Sequence, residues 1–257
     1  MYNRTVINQF RNLFQVVSAD TDELKAAVYR IRYGVYCDEF GYEDKEKFPD
    51  GKEMDSCDDR SLHYLIQHKP SRRLVGCIRL ILPDPCDPMA RFPFEIASRG
   101  QIFNDILDLN NIDRRRLGEV SRLTVVSSFR NRIGERNRPE QVVTKSTRLR
   151  SGEQRRYPHV AMGLYLAGAA AMLSSGLEGV FAMMEPRLAR GVAAFGLKFR
   201  QVSDVVDYHG KRAAFYIQRE EVLAGLPAEG RALLEMIQRD LEIDKEVKNN
   251  RLTSAVG

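Results

Sequence analysis

Between Tyr157 and Leu177 the chain runs for twenty-one residues without a charged side chain. No other stretch restricts the fold as strongly. It is long enough to cross a bilayer. However, Pro158, His159, Ser174, Ser175 and several glycines dilute it, and no second such stretch exists. Gly163, Gly168, Ala167 and Ala169–Ala171 instead suit a helix pressed closely against a sheet. The reading is therefore a buried helix over about Pro158–Ser175, and no transmembrane segment.

The flanking pattern supplies the sheet. Ile7, Phe10, Phe14 and Val17 belong to a leading helix or strand packed on the core, or to a lid over a site. Arg4 and Arg11 interrupt the apolar run a signal peptide would need. Leu13–Ala19 alternates as a strand. Asp20, with Glu23 three residues on, resembles a capping box opening a helix that runs to about Phe40 and stops at Gly41. Glu43–Arg60 is a polar, acidic loop. Leu62–Gln67 and Leu74–Leu82 form a hairpin. Pro83, Pro85, Pro88 and Pro93 mark a further loop, followed by a short helix over Phe103–Leu109 and a strand over Glu119–Ser127. Beyond the buried helix come a strand (Gly179–Met184) and a helix (Pro186–Phe195). Two more strands (Lys198–Val206 and Arg212–Gln218) and a polar helix (Ala228–Lys245) close the pattern. Interleaved helices, hairpins and crossovers predict one α/β (α+β) domain over 1–257, with a mixed sheet of about seven strands flanked by helices.

Composition excludes several classes. With 43% hydrophobic residues the chain can build a core, and four cysteines without a CxxC read as reduced thiols of a cytoplasmic protein. The four histidines form no ligand motif, so no metal is expected. The net charge of +5 hides an asymmetry. Residues 130–156 hold nine Arg or Lys against three Glu, a local +6 that leaves −1 for the rest. This segment is a solvated loop, a nucleic-acid contact, or a dock for an acidic partner. No nucleic-acid motif accompanies it, and no nucleic-acid partner is expected.

Five short patterns recur in order. They are Arg32, Tyr36 and Tyr42; Asp55-Ser-Cys-Asp58; Gly76-Cys-Ile-Arg79-Leu80; Phe92-Pro93-Phe94; and Glu119-Val-Ser-Arg122. Together they resemble the acyl-homoserine-lactone (autoinducer) synthases and the N-acyl amino acid synthases, which share the GNAT-type acyltransferase fold. Within that group the chain looks most like the acyltransferases of PEP-CTERM/exosortase systems. The resemblance implies a GNAT-like sheet with splayed middle strands. Catalytic residues would be Glu119 and Arg122; substrate-binding residues would be Arg32, Tyr36, Tyr42, Asp55, Asp58, Arg79 and Phe94. Two departures matter. Tyr42 stands where the lactone synthases usually carry Trp, and the GNAT pyrophosphate loop is not kept around Asn131–Arg136.

Acyl transfer from a thioester to an amine needs a proton acceptor and donors for the developing oxyanion. Glu119 can accept the proton, directly or through water, and backbone N–H groups beyond it, where the sheet splays, can serve the oxyanion. The arginines can hold the carboxylates in place or bind a substrate carboxylate bidentately. Each residue also has a structural reading: Asp55 and Asp58 as loop caps, Glu119 and Arg122 as a surface ion pair, Phe92 and Phe94 as core. Arg79, in an apolar strand, needs a carboxylate partner in any case. The expected function is N-acyl transfer of a fatty acyl group from acyl-carrier protein, or else coenzyme A, to the amine of an amino acid. The phosphopantetheine thioester is a co-substrate, with no bound cofactor. The carrier would dock on Arg148, Arg150, Arg155 and Arg156. Alternatives are an S-adenosylmethionine-dependent lactone synthase and a silent GNAT-like binding module.

Overall fold

The computed structural model describes residues 4–103, 106–109, 112–130 and 159–254. Helix α1 (Arg4–Leu13) leads directly into β1 (Phe14–Ser18). The leading segment is thus a helix against the core, with Phe10 and Phe14 fully buried. Helix α2 (Asp22–Tyr33) starts one residue later than the capping-box reading placed it. Thr21 is the cap, its hydroxyl accepting from the Leu24 N–H at 3.3 Å. A π-helical turn, Gly34–Glu39, continues it, and Gly41 at φ +62° ends it. The wide turn leaves the Tyr36 carbonyl to accept from the Tyr42 N–H at 2.7 Å, drawing those two rings together.

Strands β2 (Ser61–His68) and β3 (Arg73–Ile81) form the expected hairpin. Helix α3 (Pro93–Ala97) replaces part of the expected proline loop: Pro93 sits in its first turn, and the Glu95 carboxylate accepts from the Phe92 N–H at 2.8 Å. The helix expected over Phe103–Leu109 is absent from the described residues there. Instead the Phe103 N–H donates to Val202, and Ile102 bridges Ser203. Strand β4 (Leu117–Val125) begins two residues before the expected boundary.

The uncharged stretch is α4 (His159–Ser174), followed by β5 (Gly179–Met184) and α5 (Pro186–Ala193). Among the described residues no helix is long and apolar enough to cross a membrane. A Cβ on Gly163 would lie 2.3 Å from the buried Phe10 ring, and one on Gly168 would lie 3.2 Å from Ile78. The small residues therefore set how closely α4 approaches the sheet. The strand expected over Lys198–Val206 breaks into β6 (Arg200–Gln201) and β7 (Val206–Asp207). Between them the Ser203 hydroxyl, rather than a backbone carbonyl, accepts from the Ala214 N–H at 2.8 Å. Strand β8 (Lys211–Gln218), α6 (Arg219–Gly225) and α7 (Ala228–Ser254) complete the chain.

The sheet has eight strands, ordered β1-β2-β3-β4-β5-β8-β6 with β7 on β8. Its described pairings are antiparallel except β4 with β5. That parallel pairing covers only Leu117–Glu119 against Gly179–Phe181. Beyond Glu119 and Phe181 the two central strands continue unpaired with each other, so the sheet is splayed at its middle, as expected. One face carries α4 and the large core around Val180, Ala182 and Phe215. The other carries α3 and a core of Phe92, Phe94, Leu117, Phe181 and Tyr216.

Candidate active site

Strict alternation along β4 would aim Glu119, Ser121 and Leu123 to one face and Arg122 to the other. The register with β3 shifts between Cys77 and Arg79, and Arg122 has φ +53°. This is a β-bulge, which re-aims a side chain. Ser121 and Arg122 both reach the face of Glu119, while Leu123 turns into the opposite core. Together with Arg79 and Asp55 they line a cleft of about 640 Å³, open solvent included. Tyr36, Glu43, Pro93, Met183, Tyr208, His209 and Arg212 complete it.

Beneath the cleft lies a network of three arginines and three carboxylates. Arg32, fully buried, donates to Glu53 and, at 2.7 Å, to Asp58. Arg79 donates to Asp55 at 2.6 Å, Asp58 at 2.8 Å and the Ser121 hydroxyl at 3.0 Å. Arg122 donates to Glu53 at 3.0 Å and Asp55 at 3.1 Å, and stands over the Tyr36 ring. Burial raises the three acids, but the arginines outweigh it. Arg32 and Arg122 hold Glu53 below the usual carboxylate range, Arg79 and Arg122 do so for Asp55, and Arg32 and Arg79 for Asp58. Asp58 also accepts from the Asp55 N–H at 2.8 Å, and Asp55 from the Cys57 N–H at 2.9 Å. The cap reading of these aspartates and their pairing role hold together. Glu53 escaped the sequence reading because it lies outside the D-x-x-D spacing. His63, beside Asp58, is driven by burial to a pKa of about 4 and is neutral at physiological pH.

Glu119 differs from these acids. It is 2% exposed, and burial pushes its carboxyl up to about 7, against the opposing effects of the Phe94 N–H, Arg79 and Arg122. It accepts from the Phe94 N–H at 2.9 Å. It sits where the β4–β5 ladder ends, inside the cleft, and not in a surface ion pair. A carboxyl that titrates near neutrality beside a cleft is suited to accept a proton. Phe94 takes a different part from the one expected. Its ring stacks on Phe181 at 4.0 Å, fully buried, and only its backbone serves the site.

The opposite wall is aromatic. Tyr42 packs on Phe40 at 5.3 Å, Tyr36 at 6.1 Å and His209 at 5.1 Å. His209 lies in the β7–β8 turn with φ +51°, and its Nε2 is 3.6 Å from Glu43. A turn signal at His209-Gly210 was legible; its place beside Tyr42, from the other half of the chain, was not. No thiol is activated by this site. Burial raises Cys57, and takes Cys37 to about 11 and Cys77 to about 12. Among the described residues no cluster could hold a metal ion.

Residues 31–136 match the family model of the acetyltransferase (GNAT) domain. The fold is of the GNAT type. Many solved structures share it, among them the following three. TofI, in a ternary complex with an inhibitor and MTA, is 15% identical with a TM-score of 0.54, over 89% of this chain and 99% of TofI. FeeM, an N-acyl amino acid synthase from uncultured soil microbes, is 13% identical with a TM-score of 0.53, over 83% and 94%. MesI, a CoA-dependent acyl-homoserine lactone synthase, is 16% identical with a TM-score of 0.52, over 88% and 94%. No curated protein matches the chain. Of the basic segment only Arg130 is described, and it is committed inward, paired with Glu39 over the Phe40 ring. Arg148, Arg150, Arg155 and Arg156 lie outside the described residues.

Proposed function

We propose that this chain is an N-acyltransferase that moves a fatty acyl group from acyl-carrier protein to the α-amine of an amino acid. The observation that carries the reading is Glu119, a buried carboxyl with a pKa of about 7 at the vertex of the split between β4 and β5. The ammonium of the acceptor loses its proton to Glu119. The freed amine attacks the thioester carbon, and backbone N–H groups along the split, where β4 and β5 no longer pair with each other, stabilise the oxyanion. Collapse expels the phosphopantetheine thiol. Arg122 acts by fixing Glu53 and Asp55, so it is a positioning residue; Asp55 and Arg79 line the same cleft, and Arg32 and Asp58 support them from beneath.

The neighbouring residue on β4, Val120, faces the other side of the sheet. There it lines an apolar crevice with Gly168, Met172, Val180 and Phe199. A second apolar crevice shares Tyr165 and Leu197 with it. An acyl carbon at the split thus has a base on one side and an apolar layer on the other. The altered pyrophosphate loop and the +6 of residues 130–156 favour a carrier protein as donor, docked on Arg148, Arg150, Arg155 and Arg156. Tyr42 favours the amino acid reaction over the lactone reaction, in line with the likeness to exosortase-associated acyltransferases. We read the chain as one catalytic domain acting in the cytoplasm, where its free thiols stay reduced.

Mass spectrometry tests this. Purified protein given one acyl group on carrier protein yields an N-acyl amino acid. A lactone formed with methylthioadenosine from S-adenosylmethionine would replace the reading by the lactone synthase, and no product with any amine by the silent module. Charge reversal at Arg148, Arg150, Arg155 and Arg156 raises KM for the carrier thioester and flattens its salt dependence, while a short pantetheine thioester turns over as before. Equal losses with both donors would remove the docking role.

A further inference from the structure

The hydrogen bond that Glu119 accepts from the Phe94 N–H, at 2.9 Å, joins two different elements, α3 and β4. The residues beside Phe94 leave its N–H for this use. Pro93 has no N–H, and the Phe92 N–H is taken by the Glu95 carboxylate at 2.8 Å. Phe94 therefore offers the first N–H of α3, and Glu119 receives it.

The same Glu95 carboxylate is also held from β4. Arg114 lies in the tight turn Arg114–Arg116 that leads into that strand. It grips Glu95 with both arms of its guanidinium, Nη1 to Oε1 at 3.1 Å and Nη2 to Oε2 at 2.7 Å. Its Nη2 also donates to the Ala90 carbonyl at 3.1 Å, and its guanidinium carbon is 5.8 Å from the centroid of the Phe92 ring. The two arginines that follow stay at the surface, Arg115 with Asp113 and Arg116 with Glu178. Arg114 alone of the three turns inward, where it and Glu95 are each 9% exposed. It precedes the part of β4 that pairs with β5, so the clamp sits at the closed end of the split.

We propose that Arg114 and Glu95 are positioning residues for the base: their ion pair clamps the first turn of α3 to the start of β4 and holds the Phe94 N–H on the Glu119 carboxylate. The inference rests on the N-acyltransferase reading and adds the device that aims its base. Neither side chain lines the cleft, so both act through Glu119. A two-bond fork fixes the orientation of both partners, which a single hydrogen bond does not. A buried ion pair adds little net stability over apolar residues of the same volume, so stability alone does not account for it. The pair also acts through charge. Glu119 is influenced by Arg79 from β3, Arg122 from its own strand and Glu95 from α3, while Tyr36, Glu43, Asp55, Tyr208, His209 and Arg212 line the rest of the cleft. Glu95 raises the Glu119 carboxyl, whereas the Phe94 N–H, Arg79 and Arg122 lower it.

The test follows kcat/KM against pH with an acyl-carrier thioester and whichever of the standard twenty amino acids is acylated fastest. Arg114→Met leaves the Glu95 charge uncompensated and releases the first turn of α3. Both effects disfavour the ionised base, so the rising limb moves up by about one pH unit, the size of one hydrogen bond to a charged group. Below the limb kcat/KM falls about tenfold, and above it the rate stays within about threefold. Glu95→Gln keeps an oxygen for the Phe92 N–H and another bond to Arg114 but removes the negative charge. Its limb moves the other way, to lower pH. Arg114→Lys keeps the charge against Glu95, which spares the fold, and loses the fork; its limb moves up by less than that of Arg114→Met. Opposite displacements in the arginine and glutamate variants support the inference. A limb that stays at the parental pH in every folded variant, whatever its Tm, makes the pair structural only and overturns it. Displacement of all the variants in one direction overturns it too. Parent protein that acylates no amino acid overturns the N-acyltransferase reading itself; an active parent whose limb ignores these substitutions overturns the inference alone.

Discussion

Glu119→Gln lowers kcat by roughly 10²- to 10⁴-fold, the usual contribution of a positioned general base. The amide keeps an oxygen to accept from the Phe94 N–H, so the geometry survives while the proton acceptor is lost. The stability effect has the opposite sign. The carboxyl titrates at about 7 in the folded chain, against 4.5 as its ordinary value. Its neutral form is the one the fold favours, so its stabilising contribution is complete below pH 4.5 and is lost as pH rises toward and through 7. At pH 8 the ionised carboxylate costs the fold about 3 kcal/mol at 1.36 kcal/mol per pKa unit. Glu119→Gln removes that cost, so the inactive variant melts no lower than the parent at pH 8. In the parent, kcat/KM rises with pH through about 7, and this limb disappears in the variant. A variant with full turnover at saturating substrates would remove Glu119 from the mechanism.

Arg79→Ala damages folding and activity together. Its guanidinium is 1% exposed and bonded to Asp55 and Asp58. Breaking a buried pair typically costs 3–5 kcal/mol, because a charge is left buried and uncompensated. Here each acid keeps a second arginine, Asp58 with Arg32 and Asp55 with Arg122. The loss therefore falls near the lower end, about 3 kcal/mol, which lowers Tm by roughly 6–12 °C in a chain of this size. The pH dependence separates this from a generic cavity. Asp55 and Asp58 are held below their ordinary pKa of 3.8. Their contribution is present above 3.8 and fades as pH falls through the folded values, so parent and variant converge in acid. Arg79 also lowers the Glu119 pKa, so any residual activity has its rising limb displaced to higher pH. An Arg79→Ala protein with parental Tm and turnover would show that the network is dispensable.

The sequence carried the architecture where hydrophobic period and turn chemistry agree. The uncharged stretch became α4, and Gly179–Met184 matched its strand residue for residue. The reading failed where one side chain substitutes for backbone pairing or a proline opens a short helix, as at Ser203 and Pro93. The site shows the same division. Motif likeness singled out Arg32, Asp55, Asp58, Arg79, Glu119 and Arg122, and the fold brings Asp55, Arg79, Glu119 and Arg122 to one cleft with Arg32 and Asp58 bonded beneath it. It could not reveal the bulge that turns Arg122 toward Glu119, since a positive φ at arginine has no sequence signature. It also could not place His209 and Arg212 against Tyr42, because that contact depends on strand order across more than 160 residues.

The central claim is direct transfer from thioester to amine at Glu119, with no acyl-enzyme. It is tested by mixing stoichiometric acyl thioester with the protein, with and without amino acid, and following free thiol together with the intact protein mass. The account predicts no thiol and no mass gain without amine, and one thiol per N-acyl product once amine is added. A stoichiometric burst of thiol without amine, accompanied by an acyl adduct on the protein, would contradict it.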